Sequence, residues 1–234
     1  MGYMDRKHLI RKALIKSIPV MAAYVVLGTG FGILMSDKGY GPVWSILCSL
    51  LIYAGSMQYV GVDLLVTAAS PLSTALMTLM VNARHLFYGI SMIGRYKNMG
   101  RIKPYLIFAL TDETYSLLCN EQPFASDEDA QLYYFFVSLF DQSYWVLGTA
   151  LGALIGSVLS FNSAGIDFSM TALFVTVFVE QWLTAKDHRP ALTGLGASVV
   201  CLLLFDSSSF LIPAMLLITV LLSVPYAKRG GKDA

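Results

Sequence analysis

Long uncharged runs separated by short polar stretches dominate this chain. They lie at Ser17 to Ser36, Gly39 to Val62, Leu64 to Ala83, Gln142 to Ile166, Phe168 to Val179, Pro190 to Phe205 and Ser207 to Ala227. Several reach the roughly 20 residues that carry a helix across hydrocarbon, about twice what a spanning strand needs. The pattern predicts helical membrane segments at about 17–35, 43–69, 72–93, 131–160, 167–185, 191–206 and 208–226. An eighth candidate, 105–119, carries Thr111-Asp112-Glu113-Thr114 at its centre. It either spans inside the bundle or lies against it as a half-helix. Gly100 and Pro104 mark its start, and Asn120 to Asp129 form a polar loop after it.

Composition agrees with this reading. Of 234 residues, 56% are hydrophobic and 13% charged, against roughly 25% charged in a soluble domain. The expected fold class is all-α: a polytopic helical membrane protein with seven or eight segments. A basic cytoplasmic stretch (1–16) and a basic tail (228–234) would flank a single transport domain (17–227). The net charge of +1 gives no case for nucleic-acid binding. Cys48, Cys119 and Cys201 lie far apart without metal-ligand spacing and read as packing residues. Arg6, Lys7, Arg11, Lys12 and Lys16 precede the first apolar run with no convincing signal-peptidase site, so a retained first helix is expected.

Basic clusters set the expected orientation. They lie before residue 17, at Arg95 to Lys103, at Lys186 and Arg189, and at Lys228 to Lys232. The positive-inside rule places all four in the cytoplasm. Three apparent segments separate the first two clusters, so either one segment is re-entrant or split, or the 95–103 loop faces outward. The natural break is Ala54-Gly55-Ser56-Met57-Gln58. A short duplication is also visible: Tyr24-x-Val26-Leu27-Gly28-Thr29-x-x-Gly32-x-Leu34 matches Tyr144-x-Val146-Leu147-Gly148-Thr149-x-x-Gly152-x-Leu154, and Gln58-Tyr59 is echoed by Gln181-Trp182. Paired repeats are common in secondary transporters, though small-residue strings also recur wherever helices pack closely.

Four polar groups interrupt the apolar background. Gly55, Ser56 and Gln58 sit where an unwound backbone offers free amides and carbonyls to a carboxylate or a cation; a tight helix crossing is the structural alternative. Asn82, Arg84 and His85 fall near the middle of an apolar run, where a charge costs roughly 2.5–3.5 kcal/mol unless it meets a ligand or partner. Arg84 can clamp a carboxylate with two parallel hydrogen bonds, and His85 can pass a proton. Asp112 and Glu113 point about 100° apart on a helix, so one of them faces any given cavity. Either serves proton transfer or neutralises Arg84. Asp141 and Glu180, with Gln181 beside it, complete the candidate proton-coupling or ion-pair set.

Together these strings resemble the AzlC family, the large subunit of branched-chain amino acid exporters. The resemblance rests on Tyr53-Ala54-Gly55-Ser56-Met57-Gln58, on Asn82 to Gly89 with Ser91, on Thr111-Asp112-Glu113, on Trp145 to Thr149 with Gly152, and on Gly165-Ile166-Asp167-Phe168. Gly28-Thr29-Gly30-Phe31-Gly32 departs from it, standing where a proline-containing variant is expected. The resemblance implies gradient-driven export of leucine, isoleucine, valine and in some members methionine, across a bacterial cytoplasmic membrane, with a small hydrophobic AzlD-type partner and no cofactor. A zwitterion needs a cationic or amide site, an acceptor for its ammonium group and an apolar pocket, all available among these residues. A membrane-embedded enzyme using Ser56 or His85 lacks a recognisable nucleophile–base pair, and the G-x-S-x-G pattern is absent. A channel or assembly subunit is the other alternative.

Overall fold

The computed structural model describes residues 6–119, 121, 124–158, 165, 168, 171–172, 175, 178–179, 182–183, 185, 187–205, 210, 213–214 and 216–222. All regular structure among them is helical. The chain forms two compact units, Met1–Thr171 and Ala172–Ala234.

Two 32-residue helices, α1 (Arg6–Asp37) and α8 (Asp127–Val158), form the spine of the first unit. α1 is long and apolar enough to cross a bilayer. It starts well before the first uncharged run, so the basic residues from Arg6 to Lys16 are its first turns. Glycines allow the two backbones to touch. A Cβ on Gly28 would lie 2.8 Å from the Trp145 carbonyl oxygen, and one on Gly148 would lie 2.7 Å from that of Val25. One turn on, Gly32 abuts the Thr149 carbonyl and Gly152 that of Thr29. Contacts advance in the same direction along both helices, so they run parallel. Thr29 and Ser36 donate to the Gly148 and Ala153 carbonyls at 3.2 and 3.0 Å, the polar contacts that close helix packing permits.

α2 (Pro42–Leu51) and α3 (Gly55–Val66) form a fold-back pair where one segment, 43–69, is expected. In a continuous helix, positions 49 and 58 would be about 13 Å apart along the axis. Gln58 Nε2 instead donates to Ser49 Oγ at 3.0 Å. The reversal occupies residues 52–54, slightly earlier than the composition suggests, and its left-handed residue is Tyr53, with φ +42°. Gly55 serves the close approach of Trp145, whose ring would lie 3.1 Å from an added Cβ.

Ser70 caps α4 (Pro71–Val81) by accepting from the Ser73 amide at 3.2 Å, with Pro71 in the first turn. The expected 72–93 segment breaks at Asn82, after which α5 (Ala83–Met92) begins. A single 3-10 turn (Gly100–Ile102) leads into a second fold-back pair, α6 (Lys103–Phe108) and α7 (Asp112–Leu118). Its two arms reach neighbouring residues of α8: Tyr105 donates to Gln142 Oε1 at 2.9 Å and Thr114 to Asp141 Oδ2 at 2.8 Å. Residues 105–119 are thus two half-helices rather than one span.

One end of this unit collects polar groups from several elements. Lys12 pairs with Glu121, Arg95 donates to the Glu121 carbonyl at 2.8 Å, and Asn98 donates to Asp127 Oδ2 at 2.9 Å. The first two basic clusters therefore lie together. The second unit contains α9 (Arg189–Leu204), starting with Pro190 in its first turn, close to the expected 191–206. Trp182 stacks on His188 at 4.3 Å. Much of the expected 167–185 and 208–226 segments lies outside the described residues, as do Lys186 and the basic tail.

Candidate functional site

The tips of the two fold-back pairs meet: the Tyr53 and Phe108 rings are 6.2 Å apart. Arg84, in the first turn of α5, bridges them by pairing with Asp112 and donating from Nη2 to Ser56 Oγ at 2.6 Å. One guanidinium thus joins the first turns of α3 and α7. Asp112 follows Thr111, which caps α7 by accepting from the Thr114 amide at 3.3 Å. A carboxylate in that first turn is also favoured by the helix dipole.

Arg84 and Asp112 remain 31% and 32% accessible, so the pair is within reach of a ligand. A cavity of about 380 Å³ adjoins this region, lined by Tyr53, Ala54, Asn82, His85, Leu86, Phe108 and Leu110 among others. It is mainly apolar with a few convergent polar groups, as small-molecule sites usually are. Asn82 Oδ1 is buried without a hydrogen-bond partner among the described residues. His85 Nδ1 lies 3.3 Å from the Asn82 carbonyl oxygen, and its ring meets Tyr88 edge-on.

Glu113 turns away from Asp112, as the helical spacing requires, and accepts from Tyr24 of α1 at 2.7 Å. The Tyr24 hydroxyl is also 2.6 Å from Thr111 Oγ1. Asp141 is fully buried in α8, where its Oδ2 accepts from Thr114, while Oδ1 has no hydrogen-bond partner among the described residues. Gln58 points elsewhere. Its amide accepts from Trp145 Nε1 at 2.9 Å and donates to Ser49, which contacts Thr149 at 2.8 Å. That chain ties the first fold-back pair to α8. Glu180 and Gln181 lie outside the described residues.

The structure therefore brings Ser56, Asn82, Arg84, His85, Asp112 and Glu113 into one neighbourhood, with Gly55 next to Ser56 and Asp141 reached through Thr114. Sequence reasoning missed Tyr24, Tyr53 and Thr114 as site residues. The only signal for Tyr24 was its place at the head of the duplicated string.

Helices broken at mid-length around an arginine and several carboxylates, with many apolar side chains facing outward, mark the class of helical membrane proteins. The chain belongs to the AzlC family: the family described as AzlC protein matches residues 19–159. It is 45% identical over 214 residues to the branched-chain amino acid transport protein AzlC of Bacillus subtilis, covering 92% of this chain and 84% of that protein. An uncharacterized membrane protein of Haemophilus influenzae is 43% identical, with 92% and 88% covered. The inner membrane protein YgaZ of Escherichia coli is 25% identical, with 78% and 76% covered. No solved structure matches the chain.

Proposed function

We propose that this chain is the substrate-binding subunit of a branched-chain amino acid exporter in a bacterial cytoplasmic membrane. Its cargo is leucine, isoleucine and valine, extending to methionine. The observation that carries this reading is Arg84, held between Ser56 and Asp112 where the fold-back tips meet beside an apolar cavity. The substrate carboxylate takes the place of Asp112 on the guanidinium, aided by the free amides at the start of α3. Asp112 and Asn82 Oδ1 then receive the ammonium group, and Leu86, Phe108 and Leu110 surround the aliphatic chain. A guanidinium cannot act as a base toward Ser56, which favours transport over chemistry on the substrate.

The two fold-back pairs enter the first unit from opposite ends, an arrangement suited to opening the site alternately. Proton coupling runs through Asp112 and Glu113, with His85 as a relay. The residues from 17 to 227 act as one transport domain, and the reciprocal glycine contacts of α1 and α8 support descent of these two helices from a duplicated element. A small AzlD-type subunit completes the transporter.

Purified chain in liposomes, with and without that partner, tests this. Uphill leucine flux under a proton gradient is expected only with both subunits. Asp112→Asn and Glu113→Gln, made separately, should lose gradient-driven accumulation while one of them retains exchange at equal concentrations. Full uphill flux by the isolated chain removes the partner requirement, and unimpaired accumulation by both variants removes the coupling role.

A further inference from the structure

Five buried or half-buried groups form an unbroken hydrogen-bonded line across α7, α1 and α8. Glu113 Oε2 meets the Tyr24 hydroxyl at 2.7 Å, which meets Thr111 Oγ1 at 2.6 Å. Thr111 Oγ1 meets Thr114 Oγ1 at 3.2 Å, which meets Asp141 Oδ2 at 2.8 Å. Tyr24, Thr111, Thr114 and Asp141 are all buried, with Thr114 and Asp141 at 0% exposure.

Counting hydrogens along this line gives its chemistry. It contains four links but only three hydroxyls, and each hydroxyl has one hydrogen to donate. With both carboxylates charged, Tyr24 donates to Glu113 and Thr114 to Asp141, and the single Thr111 hydrogen serves Tyr24 or Thr114 but not both. One contact is left without a hydrogen, either Tyr24–Thr111 at 2.6 Å or Thr111–Thr114 at 3.2 Å. Two oxygens pressed together by lone pairs in a buried site are unfavourable. One added proton removes the defect.

We propose that Glu113 and Asp141 share a single exchangeable proton through the hydroxyls of Tyr24, Thr111 and Thr114. With the proton on Asp141, its carboxyl donates to Thr114, Thr114 to Thr111, Thr111 to Tyr24 and Tyr24 to Glu113. With the proton on Glu113, every donor reverses. Passage between the two forms moves one hydrogen across each link, so one O–H bond breaks and one forms on each hydroxyl and the net charge stays constant. Glu113 is the half-buried end, influenced by Asp112 and Arg84. Asp141 is the sealed end, with Thr114, Tyr53, Tyr105 and Tyr133 around it and no ion pair among the described residues. The line thus stores a proton deep in α8 and delivers it beside the Arg84–Asp112 pair. Its link to transport rests on the export reading above; the shared proton does not.

Infrared spectroscopy of the full chain in lipid nanodiscs at pH 7 tests this without substrate or gradient. A protonated-carboxyl stretch should be present and should vanish in Asp141→Asn, where the amide supplies the fourth hydrogen. Tyr24→Phe leaves as many hydroxyl hydrogens as links, so the band should fall at least twofold. Thr111→Ala gives the same reading if Tyr24→Phe does not fold, and Thr111→Ser should restore the full band. Absence of the band in the unaltered protein overturns the proposal. So does an undiminished band in both Tyr24→Phe and Thr111→Ala, which would assign the proton to burial of Asp141 alone. Failure of amino acid export in liposomes leaves the infrared outcome unaffected, so the two readings fail separately.

Discussion

Arg84 holds two half-helices with one side chain, and the geometry explains why lysine cannot replace it. Its fork satisfies Asp112 and Ser56 at once, whereas an ammonium is a single point charge on a flexible stem. Arg84→Lys should therefore insert normally and lose about tenfold in leucine flux, equivalent to about 1.4 kcal/mol. Arg84→Ala should abolish flux and leave Asp112 without its cation. Near-normal leucine flux in Arg84→Ala, measured in liposomes with the proposed partner present, would remove Arg84 from substrate and ion-pair roles alike. This cluster was legible in the sequence, because charges inside an apolar run are rare enough to stand out. Tyr24 was not, since a tyrosine in an apolar helix is ordinary and its partner Glu113 lies 89 residues away.

At the scale of elements, the fold depends on where helices stop. The reversal near Gly55 could be anticipated from composition, yet the left-handed position fell to Tyr53 and the glycine served Trp145 instead. The second reversal, Ala109-Leu110-Thr111, contains neither glycine nor proline. Only its contacts with α8 reveal it. The duplicated glycine string was readable as a string, but not as a contact, because nothing local to either copy names its neighbour. That contact gives a direct expectation. An added methyl at Gly152 would meet the Thr29 backbone and one at Gly32 the Thr149 backbone, and neither can yield as a side-chain tip could. Gly152→Ala and Gly32→Ala should each cost about 1–3 kcal/mol, the usual range for overpacking. Thermal unfolding in detergent measures this, with Gly61→Ala as the control, since its added Cβ meets nothing within 4 Å beyond its chain neighbours and the backbone of its own helix.

For the molecule as a whole, fold-back of α2 and α3 resolves the parity problem posed by the basic clusters. A segment that enters and leaves by the same end contributes no crossing. Lys12 and Arg95 meet around Glu121, and the positive-inside rule predicts that this end faces the cytoplasm. In a variant with its native cysteines replaced, Lys97→Cys should resist an impermeant thiol reagent in intact cells and react after permeabilisation. Gly39→Cys, in the turn after α1, should react in both. Efficient labelling of Lys97→Cys in intact cells would instead require three full crossings before residue 95.

The parallel pairing of α1 with α8 also sets an order of events during synthesis. Thr29 and the Gly148 carbonyl are 119 residues apart in the chain, so the first helix emerges long before its partner exists. At translation rates of roughly 5–20 residues per second, the delay is about 6–24 s. Throughout that interval the glycine face of α1 lacks the α8 backbone that fills it, although the α3 and α7 partners of Leu27 and Tyr24 are made before Gly148. The spine of the finished protein is therefore assembled late, after both fold-back pairs have been made.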